Sequence, residues 1–247
     1  ALSRRVAGCA GVILFGVMSA CGRTPVEPKP PKDGPTSAPQ PVRAVRVLIA
    51  SDVERLRIRT LQAEMSTCEG ASLFRVTFDD WVTITASADR SVQCSNGHVL
   101  PDCSTIIPEH GSFMAIAQPF QSDWGPVYEY PGRLRVILNR NSRLDVINEV
   151  DIEDYVASVV ANESAPSFLT EALRGQAIIS RTFVLYLMGR RSSQPHDVSA
   201  TQGSQVYKGY RGDEFGGRAR EAARFTRGIV CVFNKDGQEE LFPTYYS

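Results

Sequence analysis

No charge excess of either sign is present: lysine plus arginine and aspartate plus glutamate both stand at 27 in a chain of 247 residues. Nucleic-acid binders usually carry a basic surplus, so that class of partner is disfavoured and none is expected, whereas neutrality leaves a sugar polymer open. Histidine is scarce as well. His98, His110 and His196 do not fall at ligand spacing and the cysteines include no Cys-x-x-Cys, so neither a zinc site nor any other cofactor is expected. The apolar run Val6–Met18 is shorter than the ~20 residues that a membrane-spanning helix needs. No internal repeat is evident. The region before Val127 has no spaced carboxylate pair and no Ser/His/Asp set, so chemistry is sought after it.

What the N-terminus does contain reads as targeting, not fold. Arg4 and Arg5 precede the apolar run, and Met18-Ser-Ala-Cys21 places small residues before a cysteine, the pattern of a bacterial lipobox. This predicts a signal peptide over residues 1–20 and a lipid on Cys21; the alternative is an ordinary signal with an incidental cysteine. The segment 21–42 is rich in proline, lysine, serine and threonine and nearly free of apolar residues, a composition suited to an extended tether. An exported lipoprotein, anchored in the membrane and facing periplasm or wall, is the expectation. Export also makes disulfides possible among Cys68, Cys94, Cys103 and Cys231. Cys94 and Cys103 flank a turn-like stretch and are the first pair expected, with free thiols as the alternative.

Residues 43–126 read as a strand-rich region. Leu56, Ile58 and Thr60 alternate with Arg55, Arg57 and Arg59, a period-two strand with one wet face, and VRVLIA, LFRVTF, WVTITAS and FMAIAQ supply more strands. Trp81 and Trp124 are expected as strand-packing residues, although such rings also stack sugars. Two strands around Arg140–Ser142 form a hairpin that leads into a helix, Asp213–Thr226 forms a further helix, and a hairpin turns at Asn234–Gly237. Strands, then two adjacent helices, then strands again argue for an α+β fold. The strand-rich region is expected to dock or to position a glycan, and residues 127–247 to carry the chemistry.

The helix after Asp151 places Ile152, Tyr155, Val156, Val159 and Val160 on one stripe. Glu163 lies eleven residues beyond Ile152, three turns plus roughly 20°, and so emerges on that buried stripe. Burial raises a carboxyl toward neutrality, as a general acid requires. Pro166 stops the helix beside a loop that a substrate could reach. A second helix over Thr170–Met188, with Thr170 as its N-cap, is apolar on most sides yet contains Gln176, Ser180 and Arg181.

VINEVDIEDYVASVVANES followed by EALRGQAIISRTF resembles the sporulation stage II protein D / amidase-enhancer family. Asn148, Val150, Ile152, Glu153, Tyr155, Val156, Val159, Val160 and Glu163 match in register, as do Glu171, Ala172, Leu173, Gln176, Ala177, Arg181 and Thr182. Gln205, Tyr207 and Gly209 match a third block, and TRGIVCVFNKDGQEELFPTYYS a fourth. Tyr246 stands where the family has histidine, Gly175 replaces an alanine, and Ser164 replaces a methionine. The chain is expected to be C-terminally truncated, since it stops where the family continues.

The resemblance implies a peptidoglycan lytic transglycosylase. It would cut the MurNAc–GlcNAc bond, on glycan strands stripped of stem peptides, with Glu163 as the single acid/base. Asp151, Glu153 and Asp154 begin the same helix, ~14–18 Å away at 1.5 Å per residue, too far to act as a second carboxylate. Gln176 and Arg181 would position Glu163 or bind acetamido and carboxyl groups, Gln205 would join them, and Tyr207 would offer a stacking face. The competing class within the family is a non-catalytic enhancer whose partner is a cell-wall amidase, or a glycan-binding wall lipoprotein.

Overall fold

The structure, a computed structural model, describes residues 43–77, 80–87, 89–109, 112–120, 123–200 and 205–244. The expected signal peptide, Cys21 and its linker lie outside the described residues, as do His110 and Tyr246. Twelve strands come first: β1 (Ala44–Val53), β2 (Arg55–Arg59), β3 (Gln62–Thr67), β4 (Ser72–Thr77), β5 (Val82–Ala86), β6 (Val92–Cys94), β7 (Val99–Leu100), β8 (Cys103–Pro108), β9 (Met114–Phe120), β10 (Asp123–Tyr130), β11 (Arg133–Leu138) and β12 (Leu144–Asp151). Helices α1 (Ile152–Glu163) and α2 (Thr170–Arg190) follow, then β13 (Val198–Ser199), α3 (Glu214–Phe225) and the hairpin β14 (Phe233–Lys235) and β15 (Gln238–Glu240). The fold is α+β, with its strands concentrated in the N-terminal half.

The strands form a seven-stranded sheet, ordered β13-β1-β12-β11-β8-β3-β4, and a six-stranded sheet, ordered β10-β9-β2-β5-β6-β7. Alternation decides which side chains face inward. Val45 and Val47 of β1, Leu56 and Ile58 of β2, Ile84 of β5 and Leu134 and Val136 of β11 all enter one continuous core. Two irregularities in the β1–β12 register and a positive φ of 55° at Asp52 turn the chain from the first sheet into the second. The expected division at residue 126 has a definite place in this topology. It falls inside β10, while β1 and β8 are hydrogen-bonded to β12 and β11 from across it, and Pro41–Ser247 is one compact unit.

The cysteine expectation is corrected. Cys68 pairs with Cys103, not Cys94 with Cys103. Thr67 on β3 stands opposite Ser104 on β8, so the residues just beyond that pair meet across adjacent strands, with Cα atoms 5.4 Å apart. Cys94 ends β6 in the other sheet and points into the core, where burial pushes its thiol up to about 11. The second helix differs in its details too. It runs to Arg190, and Leu169 occupies the N-cap with no side-chain hydrogen bond, while Thr170 is already helical.

One buried cation ties the helices together. Arg181 on α2, 1% exposed, donates from Nη2 to Glu153 Oε2 at 2.6 Å and from Nε to Oε1 at 3.0 Å. Its remaining donors reach the carbonyl of Ala223 on α3 at 3.0 Å and that of Ile229 at 3.1 Å. Replacing Arg181 with Leu leaves Glu153 without its counter-charge and should destabilise the fold by about 3–5 kcal/mol, read as a lowered midpoint in urea unfolding. Opening the Cys68–Cys103 bridge with a Cys68→Ala, Cys103→Ala pair should cost about 3–4 kcal/mol through the released loop. In the native protein, Cys94 should resist alkylation until the chain is unfolded.

Candidate active site at the end of the first helix

Helix α1 follows β12 without a connecting loop. Asp151 caps it by accepting the Glu153 N–H at 2.8 Å, and Glu153 and Asp154 supply acids to the first turn. Tyr155, Val156, Val159 and Val160 are fully buried, as the helical period requires. The helix ends at Glu163, where Ser164 acts as C-cap and returns its N–H to the Val160 carbonyl. Pro166 then excludes a further helical turn.

Glu163 itself is half-buried, at the last position of the stripe on which the helical period places it. The 20° offset carries it to the edge of the apolar face at the last helical position, where no further turn covers it. The Val206 N–H donates to Glu163 Oε1 at 2.7 Å. This contact fixes the carboxyl from a segment that is distant in the chain. Sequence reading missed Val206 because its contribution is a backbone N–H, which any residue except proline provides.

The segment 205–210 is placed by buried polar contacts. Tyr155 donates its hydroxyl to Gln205 Oε1 at 2.9 Å, and Tyr207 donates its own to Asn148 Oδ1 at 2.6 Å. Asn148 Nδ2 in turn donates to the Pro131 carbonyl at 2.8 Å, so the chain of contacts ends in the sheet. The Tyr155 and Tyr207 rings stack with centroids 5.3 Å apart. Burial drives the Tyr207 phenol well above its ordinary pKa, so it remains a donor across the accessible pH range. The Lys208 N–H reaches Ser158 Oγ at 3.2 Å, and a bridge from Tyr210 to Glu129 fastens the far end to β10. Gly209 has φ +72°, and a Cβ there would strike the Glu129 carbonyl, so only glycine allows this close approach.

This geometry redistributes the expected site residues. Gln205 and Tyr207 are each 1% exposed, so Tyr207 has no free face for a sugar ring and neither side chain reaches a ligand. They position the segment that holds Glu163. Arg181 is committed to Glu153 and to carbonyls, and it therefore does not face a substrate. Gln176 differs from these three: it is half-buried, and its Nε2 is buried with no hydrogen-bond partner among the described residues, as are Ser164 Oγ and Ser180 Oγ. Asp197, in the loop after α2, is bound by Arg46 at 2.6 Å. Beside the site, Phe168 and Leu169 stand exposed in the connection from α1 to α2.

Asp151, Glu153 and Asp154 remain at the opposite end of α1. Asp151 serves as cap and Glu153 as ion-pair partner, so two of the three carboxylates already have structural work.

Residues 140–233 match the family model described as SpoIID, Stage II sporulation protein. The chain is 32% identical over 120 residues to an uncharacterised protein of Brachyspira hyodysenteriae, an alignment covering 48% of this chain and 31% of that relative. It is 39% identical over 66 residues to Stage II sporulation protein D of Bacillus subtilis, covering 25% of this chain and 19% of the relative. The corresponding protein of Bacillus amyloliquefaciens is 36% identical over 66 residues, with 26% and 19% covered. The aligned stretches thus span a third or less of the relatives' length. The matched segment contains β12, α1, α2 and α3, the elements that carry Glu163 and hold it in place, and over this segment the chain is similar to the Stage II sporulation protein D family.

Proposed function

We propose that the chain is a peptidoglycan lytic transglycosylase with Glu163 as its acid/base. The match to the family model fits a cell-wall-related role; the specific reaction is our reading. The observation that carries it is a half-buried glutamate at a helix end, fixed by the Val206 N–H and with no second carboxylate nearby on its own helix.

A lone carboxyl suits a reaction whose nucleophile lies within the substrate. Protonated Glu163 gives its proton to the glycosidic oxygen as the bond from C1 of MurNAc breaks, releasing the GlcNAc hydroxyl. The resulting carboxylate then takes the proton of the C6 hydroxyl of the same MurNAc. That oxygen closes onto C1, and a 1,6-anhydro ring forms with no water consumed. A hydrolase would need a second carboxyl about 5–9.5 Å away. Asp151, Glu153 and Asp154 lie ~14–18 Å along the helix axis, and this separation supports the one-acid route.

Glu163→Gln should abolish release of anhydro-ended fragments from purified sacculi while leaving the circular dichroism spectrum and the unfolding midpoint unchanged. Retention of most of the activity would remove Glu163 from the role. Zymography with and without prior amidase digestion separates this from a non-catalytic enhancer, which would stimulate an added amidase and release nothing alone.

We also propose that Cys21 carries a lipid that holds the protein at the membrane. No helix among the described residues is long and apolar enough to cross one. Cys21→Ser should move the exported protein from the membrane to the soluble fraction and eliminate labelling by a fatty-acid analogue. Label that persists in the serine variant would rule out this anchor.

A further inference from the structure

The outer face of the six-stranded sheet carries three cations that no ion pair among the described residues answers. Arg55, Arg57 and Arg59 alternate with buried Leu56 and Ile58, so all three leave β2 on the solvent side. The Arg57 guanidinium lies 4.4 Å from the Trp124 ring centroid and that of Arg55 5.2 Å from the same ring. Arg59 lies 5.1 Å from the centroid of Trp81. Both tryptophans, expected as packing residues, are thus half-buried supports for cations. Among the described residues none of the three arginines forms an ion pair, and Arg57 Nε is buried with no hydrogen-bond partner. Register places Thr83, Thr85 and Ala117 beside the row, and the exposed Val127 one strand further out. Glu129 shares the face but sits two strands from Arg59, about 10 Å away at the usual strand spacing.

A guanidinium laid over an indole is held by the ring's quadrupole and surrenders rotamer freedom before a ligand arrives. Its N–H edge stays available for a bidentate carboxylate. Three such groups recur at about 6.7 Å along an extended strand. The matching partner is an extended chain with separated single negative charges and apolar ring faces for the tryptophan edges and Val127. A nucleic acid does not match, because its dense charge calls for a broad basic surplus that this chain, with 27 cations and 27 anions, lacks.

We propose that this face binds glycan strands through the lactyl carboxylates of their MurNAc residues. This rests on the substrate class proposed above. Those carboxylates are free only after the amide to the stem peptide has been cleaved, so the row would select stripped strands and hold them while Glu163 acts elsewhere.

The test measures binding without turnover, using the full chain carrying Glu163→Gln. The probes are amidase-stripped glycan strands and the same strands with their carboxyls reduced to alcohols. The parent should bind the carboxylate strands about ten-fold more tightly than the reduced ones, as expected for charge-assisted pairs. Adding Arg55→Gln, Arg57→Gln and Arg59→Gln should erase that difference. Arg55→Gln and Arg59→Gln alone, at exposed positions, should keep the fold and each lose part of it. Equal binding to both probes, or an unchanged preference in the folded triple variant, overturns the proposal. Displacement by a phosphate polymer with no effect of carboxyl reduction also overturns it, and assigns the face to that polymer. Cleavage of stripped strands by the unmodified chain is scored separately. If cleavage fails while carboxylate-dependent binding holds, the catalytic reading falls and this inference stands.

Discussion

Burying one guanidinium is the constraint on which the helical region depends. A charge in the interior is tolerated only when its partners are all in place, and those of Arg181 come from α1, from α3 and from the chain beyond α3. None of these elements can slide without stranding a donor. Glu153 therefore fixes the axial level of α1 against α2, and with it the level at which Glu163 emerges. The apolar stripe of α1 supplies the burial, but Val and Ala side chains alone would accept several registers. The ion pair selects one.

A second set of polar contacts converts that placement into a site. Tyr155 lies on the same helix as Glu163, yet its hydroxyl acts two turns away, by holding Gln205. Through Tyr207 and Asn148 the same segment is tied to β12, and through Tyr210 to β10. Both sheets therefore have a hand in where the Val206 N–H points. Satisfied buried networks of this kind are rigid, which is what the proposed role of Glu163 requires.

Much of this was legible in the chain. The stripe of Tyr155, Val156, Val159 and Val160, the hairpin before it and the helix from Asp213 are local patterns, fixed by period and by turn residues. What was not legible is which element covers a polar side chain. Arg181, Gln205 and Tyr207 read as ligand-facing because each sits in a matched motif. Their actual partners are 28, 50 and 59 residues away, and nothing local announces such pairings. The disulfide misled in the same way. Cys94 is the nearer partner in sequence, whereas pairing follows strand register, and β3 with β8 is a non-local choice. Glu163 is only half-buried for a smaller reason, since periodicity describes a helix interior and this residue is the last one.

The direct passage from β12 into α1 has a mechanical meaning. The helix is a stiff rod about 18 Å long, clamped at its root by the sheet and carrying Glu163, the proposed acid/base, at the tip. Angular error at the root is magnified along that lever: a tilt of about 3° moves the carboxyl by about 1 Å, enough on its own to spoil alignment with a scissile bond. The seven-stranded sheet is thus the goniometer of this site, and core substitutions near Val146 or Val150, far from any sugar, would be read out as lost aim before they are felt as lost stability.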